Sequence, residues 1–109
     1  MANLLPQTIF ETDETGNLTF ANLYAFKQFG YKKERFHQKT DALQLIAPQD
    51  RKRAEKDFNK MILGKKVKTS EYLAIRKDKS TFPAIIYESP IIKENKVAGI
   101  RGIIIDITE

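Results

Sequence analysis

The sequence predicts an α+β fold in which a five-stranded antiparallel sheet carries helices on one face. Segments rich in β-branched and aromatic residues occupy both ends of the chain, whereas a helical pattern of apolar residues lies between them. Strands that enclose helices in this order favour one antiparallel sheet with the helices packed against one side. Because 109 residues normally build one core, we expect residues 1–109 to form a single domain.

A hairpin and a short helix are predicted at the start of the chain. Residues 7–12 and 17–21 are β-prone runs, and the glycine-containing turn between them is typical of a hairpin. Asn22 is suited to cap the N-terminus of a helix over the following residues LYAFKQF, and Gly30 is suited to end that helix.

The middle of the chain is predicted to be helical. Residues 31–46 favour short helical or irregular pieces, with a buried set at Leu43, Leu45 and Ile46. An amphipathic helix follows over about residues 49–63, where apolar residues recur at helical spacing.

The rest of the chain favours sheet. A strand over about residues 67–76 is followed by a turn at residues 77–80 and a long strand over about residues 81–92. Asn95 marks a second turn, and a last strand covers about residues 96–107. The predicted order is therefore β-β-α-α-α-β-β-β.

Composition excludes several kinds of chemistry. The chain has no cysteine, so it has no disulfide and no cysteine-ligated metal site, which fits a cytoplasmic location. Its one histidine, His37, is expected at the surface, since a metal site needs several ligands at close spacing. The sequence contains neither a nucleophile–base set nor a phosphate-binding loop, so no motif indicates an enzyme. No apolar run has the length of a membrane span, and we expect no membrane segment.

The net charge of +5 raises the alternative of a small basic nucleic-acid-binding domain. Much of this charge lies on the amphipathic helix, where acidic residues dilute it. A solvated helix face is the simpler interpretation, and binding to nucleic acid is not expected.

Five segments at the corners of this fold resemble the motifs of one family. They are IFETDETGNLTFAN, FGYKKERF, LIAPQDR, RKDKSTFPAIIYESPI and the final DITE. In this order, over nearly the whole chain, they are similar to the PAS domain, a sensory module of bacterial and archaeal signalling proteins. One departure is Lys79, where the family usually has glycine. We expect a different turn there, with Asp78 in the left-handed conformation.

The resemblance implies a non-catalytic sensor. Such a module belongs to a sensor histidine kinase, a diguanylate cyclase or a transcription regulator, and either binds a small ligand or serves as a dimerisation and relay module. It also implies that Asp106 and Thr108 form a signal exit toward a following effector domain, so we expect the chain to be part of a longer protein. The family's covalent flavin needs a cysteine and its haem a histidine on the long helix, and both are missing here. We therefore predict no cofactor, and leave open a non-covalent small ligand or flavin.

The predicted ligand pocket lies between the helices and the sheet. Strand alternation directs small and apolar side chains into it, and Arg76 and Glu88 point the same way. We expect these two charges to pair with each other or with a ligand, or a β-bulge to turn Glu88 outward. The candidates are Phe26, Phe36, Phe58, Met61, Ile62, Tyr72, Ala74, Arg76, Phe82, Ala84, Ile86, Glu88, Gly102 and Ile104.

The opposite face of the sheet is predicted to be apolar. Alternation places six large side chains there, which is unusual for a face open to water. We expect a second copy of the domain, the N-terminal segment around ANLLPQ, or both to cover this outer patch, which makes a homodimer the expected assembly. The outer patch consists of Leu73, Ile75, Ile85, Tyr87, Ile103 and Ile105.

Overall fold

The computed structural model describes residues 7–34, 40–67 and 69–108, which form one five-stranded antiparallel sheet with helices on one face. The strands are β1 (Thr8–Asp13), β2 (Leu18–Ala21), β3 (Ser70–Ile75), β4 (Thr81–Lys93) and β5 (Lys96–Asp106), and the α-helices are α1 (Leu23–Phe29) and α2 (Arg51–Ile62). The strand order across the sheet is β2-β1-β5-β4-β3, so the two terminal strands of the chain pair in the middle. The predicted α+β fold is confirmed.

The described chain between α1 and α2 forms 3₁₀ turns rather than the predicted third α-helix. Asp41 caps a short 3₁₀ helix, Ala42–Leu45, by accepting a hydrogen bond from the Leu43 backbone N–H. The helix ends there because Ile46 forms an antiparallel bridge with Ala74 of β3. A second 3₁₀ turn, Pro48–Asp50, leads directly into α2.

Asp50 fastens α2 to the sheet. Its carboxylate accepts a 2.7 Å hydrogen bond from the backbone N–H of Leu73, on the edge strand β3. Two basic residues of α2 have similar structural roles. The Arg51 side chain donates to the carbonyl oxygens of Leu43 and Ile46, and that of Arg53 donates to the carbonyl oxygen of Glu71.

The core lies between the helices and the inner face of the sheet. Its buried side chains alternate along the strands, as the sequence predicts, and Phe29 of α1 packs on Phe82 of β4 with ring centroids 5.5 Å apart. The core cluster comprises Phe10, Phe29, Leu45, Ile46, Tyr72, Ala74, Phe82, Ala84, Ile86 and Ile104.

The β3–β4 turn differs from the prediction. Lys79 itself adopts the left-handed conformation, with φ of 77°, and Asp78 does not. Asp78 stays outside that region because its carboxylate accepts hydrogen bonds from the Ser80 backbone and hydroxyl, while the Lys79 N–H reaches the Arg76 carbonyl. Lysine therefore occupies a conformation that glycine adopts without strain.

Candidate ligand cavity

A partly enclosed cavity of about 180 Å³ lies between the inner sheet face, α2, the 3₁₀ helix Ala42–Leu45 and the β1–β2 turn. Apolar and aromatic side chains form most of its wall. Its lining residues are Phe10, Thr12, Glu14, Thr15, Gly16, Asp41, Ala42, Leu43, Leu45, Ile46, Ala54, Glu55, Phe58, Asn59, Tyr72, Ile86, Glu88 and Ile104. The volume is below the roughly 300–1,000 Å³ of sites that enclose drug-sized ligands, so the cavity suits a small molecule.

The structure brings some of the predicted pocket residues to this cavity and not others. Phe58, Tyr72, Ile86, Glu88 and Ile104 line it. Among the described residues, those that the structure places elsewhere are Phe26, Met61, Ile62, Ala74, Arg76, Phe82, Ala84 and Gly102. Phe36, like His37, lies outside the described residues.

The small residues of the inner face do not leave the space that the sequence suggested. A Cβ atom on Gly102 would lie 2.3 Å from the Phe10 ring, so Phe10 already fills the gap above Gly102. Ala74 and Ala84 are fully buried in the core beside Phe82. The open volume lies instead toward the β1–β2 turn.

Several lining residues belong to segments that the pocket prediction did not use. Phe10 and Thr12 are buried inward-facing residues of β1, and the same alternation that located the β3–β5 candidates would have identified them. Glu14 and Gly16 reach the cavity because the turn folds onto the 3₁₀ helix, where the Ala42 N–H donates to the Gly16 carbonyl at 2.9 Å. That long-range contact has no local sequence signal.

Glu88 is the charged side chain in the half-buried part of the wall. Within the described part of the chain it makes neither a hydrogen bond nor an ion pair. No fully buried side-chain oxygen in this part lacks a hydrogen-bond partner, so the Glu88 carboxylate keeps some contact with open space, and the cavity that Glu88 lines provides that space. Burial, and then the negative charge of Asp57, raise the pKa of Glu88 to about 7.

Of the three alternatives predicted for Arg76 and Glu88, a direct pair and a bulge at Glu88 are wrong, and pairing with a ligand stays a prediction. Arg76 donates to the Ser80 hydroxyl at 3.1 Å and stacks on Phe82, with its guanidinium carbon 4.5 Å from the ring centroid. The irregularity in β4 falls between Ile91 and Ile92, so no bulge turns Glu88 outward. Arg76 lies beside the tip of the β3–β4 hairpin, where water and the aromatic ring accommodate its charge.

Tyr72 completes the polar side of the cavity. Its hydroxyl donates a hydrogen bond to the Asp57 carboxylate on α2 and thereby joins the helix to β3. Burial, followed by the hydrogen bond to Asp57, raises the pKa of Tyr72, so the phenol stays protonated. The Arg53 guanidinium lies 4.3 Å from the centroid of the Tyr72 ring.

The predicted signal exit forms a local turn at the end of β5. The Asp106 carboxylate accepts hydrogen bonds from the backbone N–H of Thr108, at 2.8 Å, and from its hydroxyl. The Ile107 N–H donates to the Pro83 carbonyl at 3.0 Å, which keeps the turn on β4. Ile104, two residues before Asp106 on the same strand, lines the cavity.

The outer patch lies on the sheet face opposite the helices. Tyr87 is 47% exposed and the other five side chains are half-buried. An ion pair between Arg101 and Glu11, at 2.9 Å, borders the patch on β5 and β1. Residues 1–6, most of the predicted N-terminal cover, lie outside the described residues.

The described ranges contain no group of three or more His, Cys, Asp or Glu side chains that could hold a metal ion. None of their helices combines the length and apolarity that crossing a membrane requires.

An antiparallel sheet with helices on one face and a small cavity between the two layers places the chain in the α+β class. The family model for the PAS domain matches residues 6–109, and the chain belongs to that family. No curated protein matches the sequence at a significant level.

Solved structures agree with the family. The PAS domain of a protein from Colwellia psychrerythraea is similar, with a TM-score of 0.83, 25% identity, and coverage of 94% of this chain and 86% of that one. A PAS domain from Desulfitobacterium hafniense gives a TM-score of 0.77 and 21% identity, covering 94% of both chains. A sensory box histidine kinase/response regulator from Burkholderia thailandensis gives 0.70 and 17% identity, covering 94% of this chain and 77% of that one.

Proposed function

We propose that this PAS domain is a non-catalytic sensor of a cytoplasmic signalling protein, first of all a sensor histidine kinase. It binds a small ligand in the cavity and passes the change through the Asp106–Thr108 turn to an effector domain. The observation that carries this proposal is the cavity itself, whose wall includes a carboxylate, that of Glu88, without a partner among the described residues. The similarity to the Burkholderia sensory box kinase supports the choice of effector, although a diguanylate cyclase or a transcription regulator would use the same module.

The relay has a short physical route. Ile104 lines the cavity, and Asp106 follows it on β5 in register with Ala84 of β4. Ala84 is also the partner of Tyr72, another cavity residue, on β3. A ligand that moves Ile104 therefore acts on β5, which ends at the Asp106–Thr108 turn. A ligand that moves Tyr72 acts on β3, which pairs with β4, the strand in register with Asp106. The shift can be no larger than the ligand's differential affinity for the two states.

The experiment compares the wild type with a variant whose cavity is filled. Ala54 lies on α2 in the cavity wall and is partly buried, so Ala54→Phe should occupy the open volume. A fragment library is screened by thermal shift, and hits are followed by amide NMR. Hits should stabilise the wild type only, and should move the amide resonances of residues 106–108. Hits that also bind the filled variant would refute the cavity as the site, and unmoved resonances would refute the relay.

We propose that the ligand is a small molecule that binds without a covalent bond. One similar structure is titled for a flavin analogue in a light-oxygen-voltage domain, with a TM-score of 0.76 and 21% identity. A flavin is drug-sized, whereas the cavity of about 180 Å³ is not. A molecule smaller than a flavin is therefore the better fit, and we expect the purified protein to be colourless.

We further propose that the outer patch mediates a homodimer. Its six apolar side chains lie on three adjacent strands, and two copies related by a twofold axis would bury the patch against itself. Leu73→Lys combined with Ile103→Glu should convert a dimer into a monomer, as measured by light scattering. The matched control changes two equally apolar residues off this face, Leu23→Glu and Leu63→Lys, which are 65% and 72% exposed. A monomeric wild type, or a control that also dissociates, would contradict this assembly.

A further inference from the structure

The cavity has a charge opposite to that of the protein. The chain carries a net charge of +5, yet four carboxylates line the cavity and no Lys, Arg or His is among its described lining residues. Glu14, Asp41 and Glu55 are exposed and surround the mouth, whereas Glu88 is half-buried in the wall. A ligand that enters therefore meets negative charge first at the mouth and then inside.

Among the residues that the structure describes, the neighbours of Glu88 on the sheet offer it no positive charge. Glu88 on β4 is in register with Gly102 on β5. Gly102 is in turn in register with Phe10 on β1, and the Phe10 ring covers it. The Tyr72 hydroxyl donates to Asp57 rather than to Glu88.

Two arginines of the described chain that could approach the cavity are engaged elsewhere. Arg53 contacts the Tyr72 ring and donates to the Glu71 carbonyl, and Arg76 lies at the β3–β4 turn. An unpaired carboxylate beside an apolar, aromatic wall is costly unless a ligand supplies the missing partner.

We infer that the cavity binds a small organic cation whose ammonium group pairs with Glu88 and packs against the rings of Phe10, Phe58 and Tyr72. This ligand class rests on the proposed function, since it concerns the same cavity. Aromatic faces attract a cation, and the attraction strengthens where water is excluded. A carboxylate together with aromatic walls is therefore suited to an amine or a quaternary ammonium ion, and unsuited to a carboxylate or a phosphate.

Binding of such a cation should depend on pH. The groups that face Glu88 are Asp57 from α2 and Tyr72 from β3, and the mouth carboxylates share the cavity. Because the pKa of Glu88 is raised to about 7, a proton competes with the cation below that pH. Affinity should fall by about tenfold for each pH unit below about 7, and should be constant above about pH 8.

The test uses pairs of molecules that have the same shape but differ in charge. Choline is compared with 3,3-dimethylbutan-1-ol, and 3-methylbutylamine with 3-methylbutan-1-ol, with 3-methylbutanoate as the anion. Calorimetry at about pH 8 should show at least one ammonium ion binding about tenfold or more tightly than its neutral partner. Glu88→Gln should remove that preference, and Glu71→Gln, which changes an exposed carboxylate of β3, should keep it.

The outcomes separate this inference from the proposed function. If the neutral molecules bind as tightly as the ammonium ions, or if the anion binds more tightly, the cation class is overturned and the cavity remains a ligand site. If Glu88→Gln keeps the preference for cations, Glu88 is not the partner and the inference fails as stated. If no probe of any charge binds to the wild type, the cavity as a sensor site is overturned together with the inference.

Discussion

Glu88→Gln should stabilise the domain at neutral and alkaline pH, although it changes a residue of the candidate site. The substitution keeps the size of the side chain and removes a carboxylate that has no partner among residues 7–34, 40–67 and 69–108. The pKa of Glu88 is raised from its ordinary value of 4.5 to about 7, so the native state binds a proton that the unfolded chain has released. The free energy of unfolding of the wild type should therefore fall as pH rises from about 4.5 to about 7, and should then level off.

The magnitude follows from that difference in pKa. A rise from 4.5 to about 7 corresponds to about 3 kcal/mol at about 1.4 kcal/mol per pH unit. Because the cavity mouth admits water to Glu88, we expect the measured effect to be about 1–3 kcal/mol. Wild type and Glu88→Gln should then be similarly stable near pH 4.5, and the variant should be more stable by this amount at about pH 8.

Urea unfolding measures this directly. The chain has no tryptophan, so the signal is far-UV circular dichroism, recorded at several pH values from about 4.5 to 8. Subtracting the free energy of unfolding of the wild type from that of the variant removes the contributions of the titrating groups that both proteins share. Glu71→Gln is the matched control, and its profile should follow that of the wild type. If the difference in the free energy of unfolding between wild type and Glu88→Gln stayed constant over this pH range, the conclusion that burial raises the pKa of Glu88 would be refuted.

Three further changes test the packing and the turns. Gly102→Ala should cost about 1–3 kcal/mol, because the new Cβ would lie 2.3 Å from the Phe10 ring, and an unchanged melting temperature would mean that the ring moves freely. Lys79→Gly should stabilise the domain by up to about 1 kcal/mol, since φ at this position is 77°. Lys77→Gly in the same turn should not stabilise it, and equal effects of the two substitutions would contradict backbone strain at Lys79. Asp50→Ala should cost about 1–3 kcal/mol by leaving a β3 backbone N–H without its acceptor, and Asp50→Asn, which keeps an acceptor oxygen, should recover most of that loss in urea unfolding.

The sequence was sufficient for elements whose signals are local. Asn22 caps α1 through the Ala25 N–H, and Gly30 ends it at φ of 81°, as their residue types predict. The turn before β5 places Glu94 and Asn95 at positive φ, which fits the predicted turn at Asn95. Alternation also fixed which side of each strand faces the helices, because a side chain that changes face changes its exposure to water.

The cavity was harder to predict because it depends on contacts between distant segments. Gly102 was expected to leave open space because the sequence does not show which residue lies beside it on β1. That residue is Phe10, whose ring fills the space. Because both face inward, Arg76 and Glu88 were expected to pair with each other or with a ligand, or a bulge was expected to turn Glu88 outward. They lie at different ends of the inner face, however, where a serine hydroxyl and an aromatic ring accommodate Arg76. Packing and register decide such features, and a single sequence does not contain them in local form.

The same physics connects the stability of the domain to its proposed response. A carboxylate held in an apolar wall destabilises the native state above about pH 7, by about 1–3 kcal/mol on the reasoning above. The cation that we infer would remove that penalty only in conformations where the wall encloses the Glu88 carboxylate. If an open conformation returns Glu88 to water, this penalty is the upper limit of the differential affinity that pairing with Glu88 supplies to shift the equilibrium between the two conformations. About 1–3 kcal/mol shifts such an equilibrium by roughly 5- to 150-fold. A shift of this size would suit the reversible response that we propose for this domain.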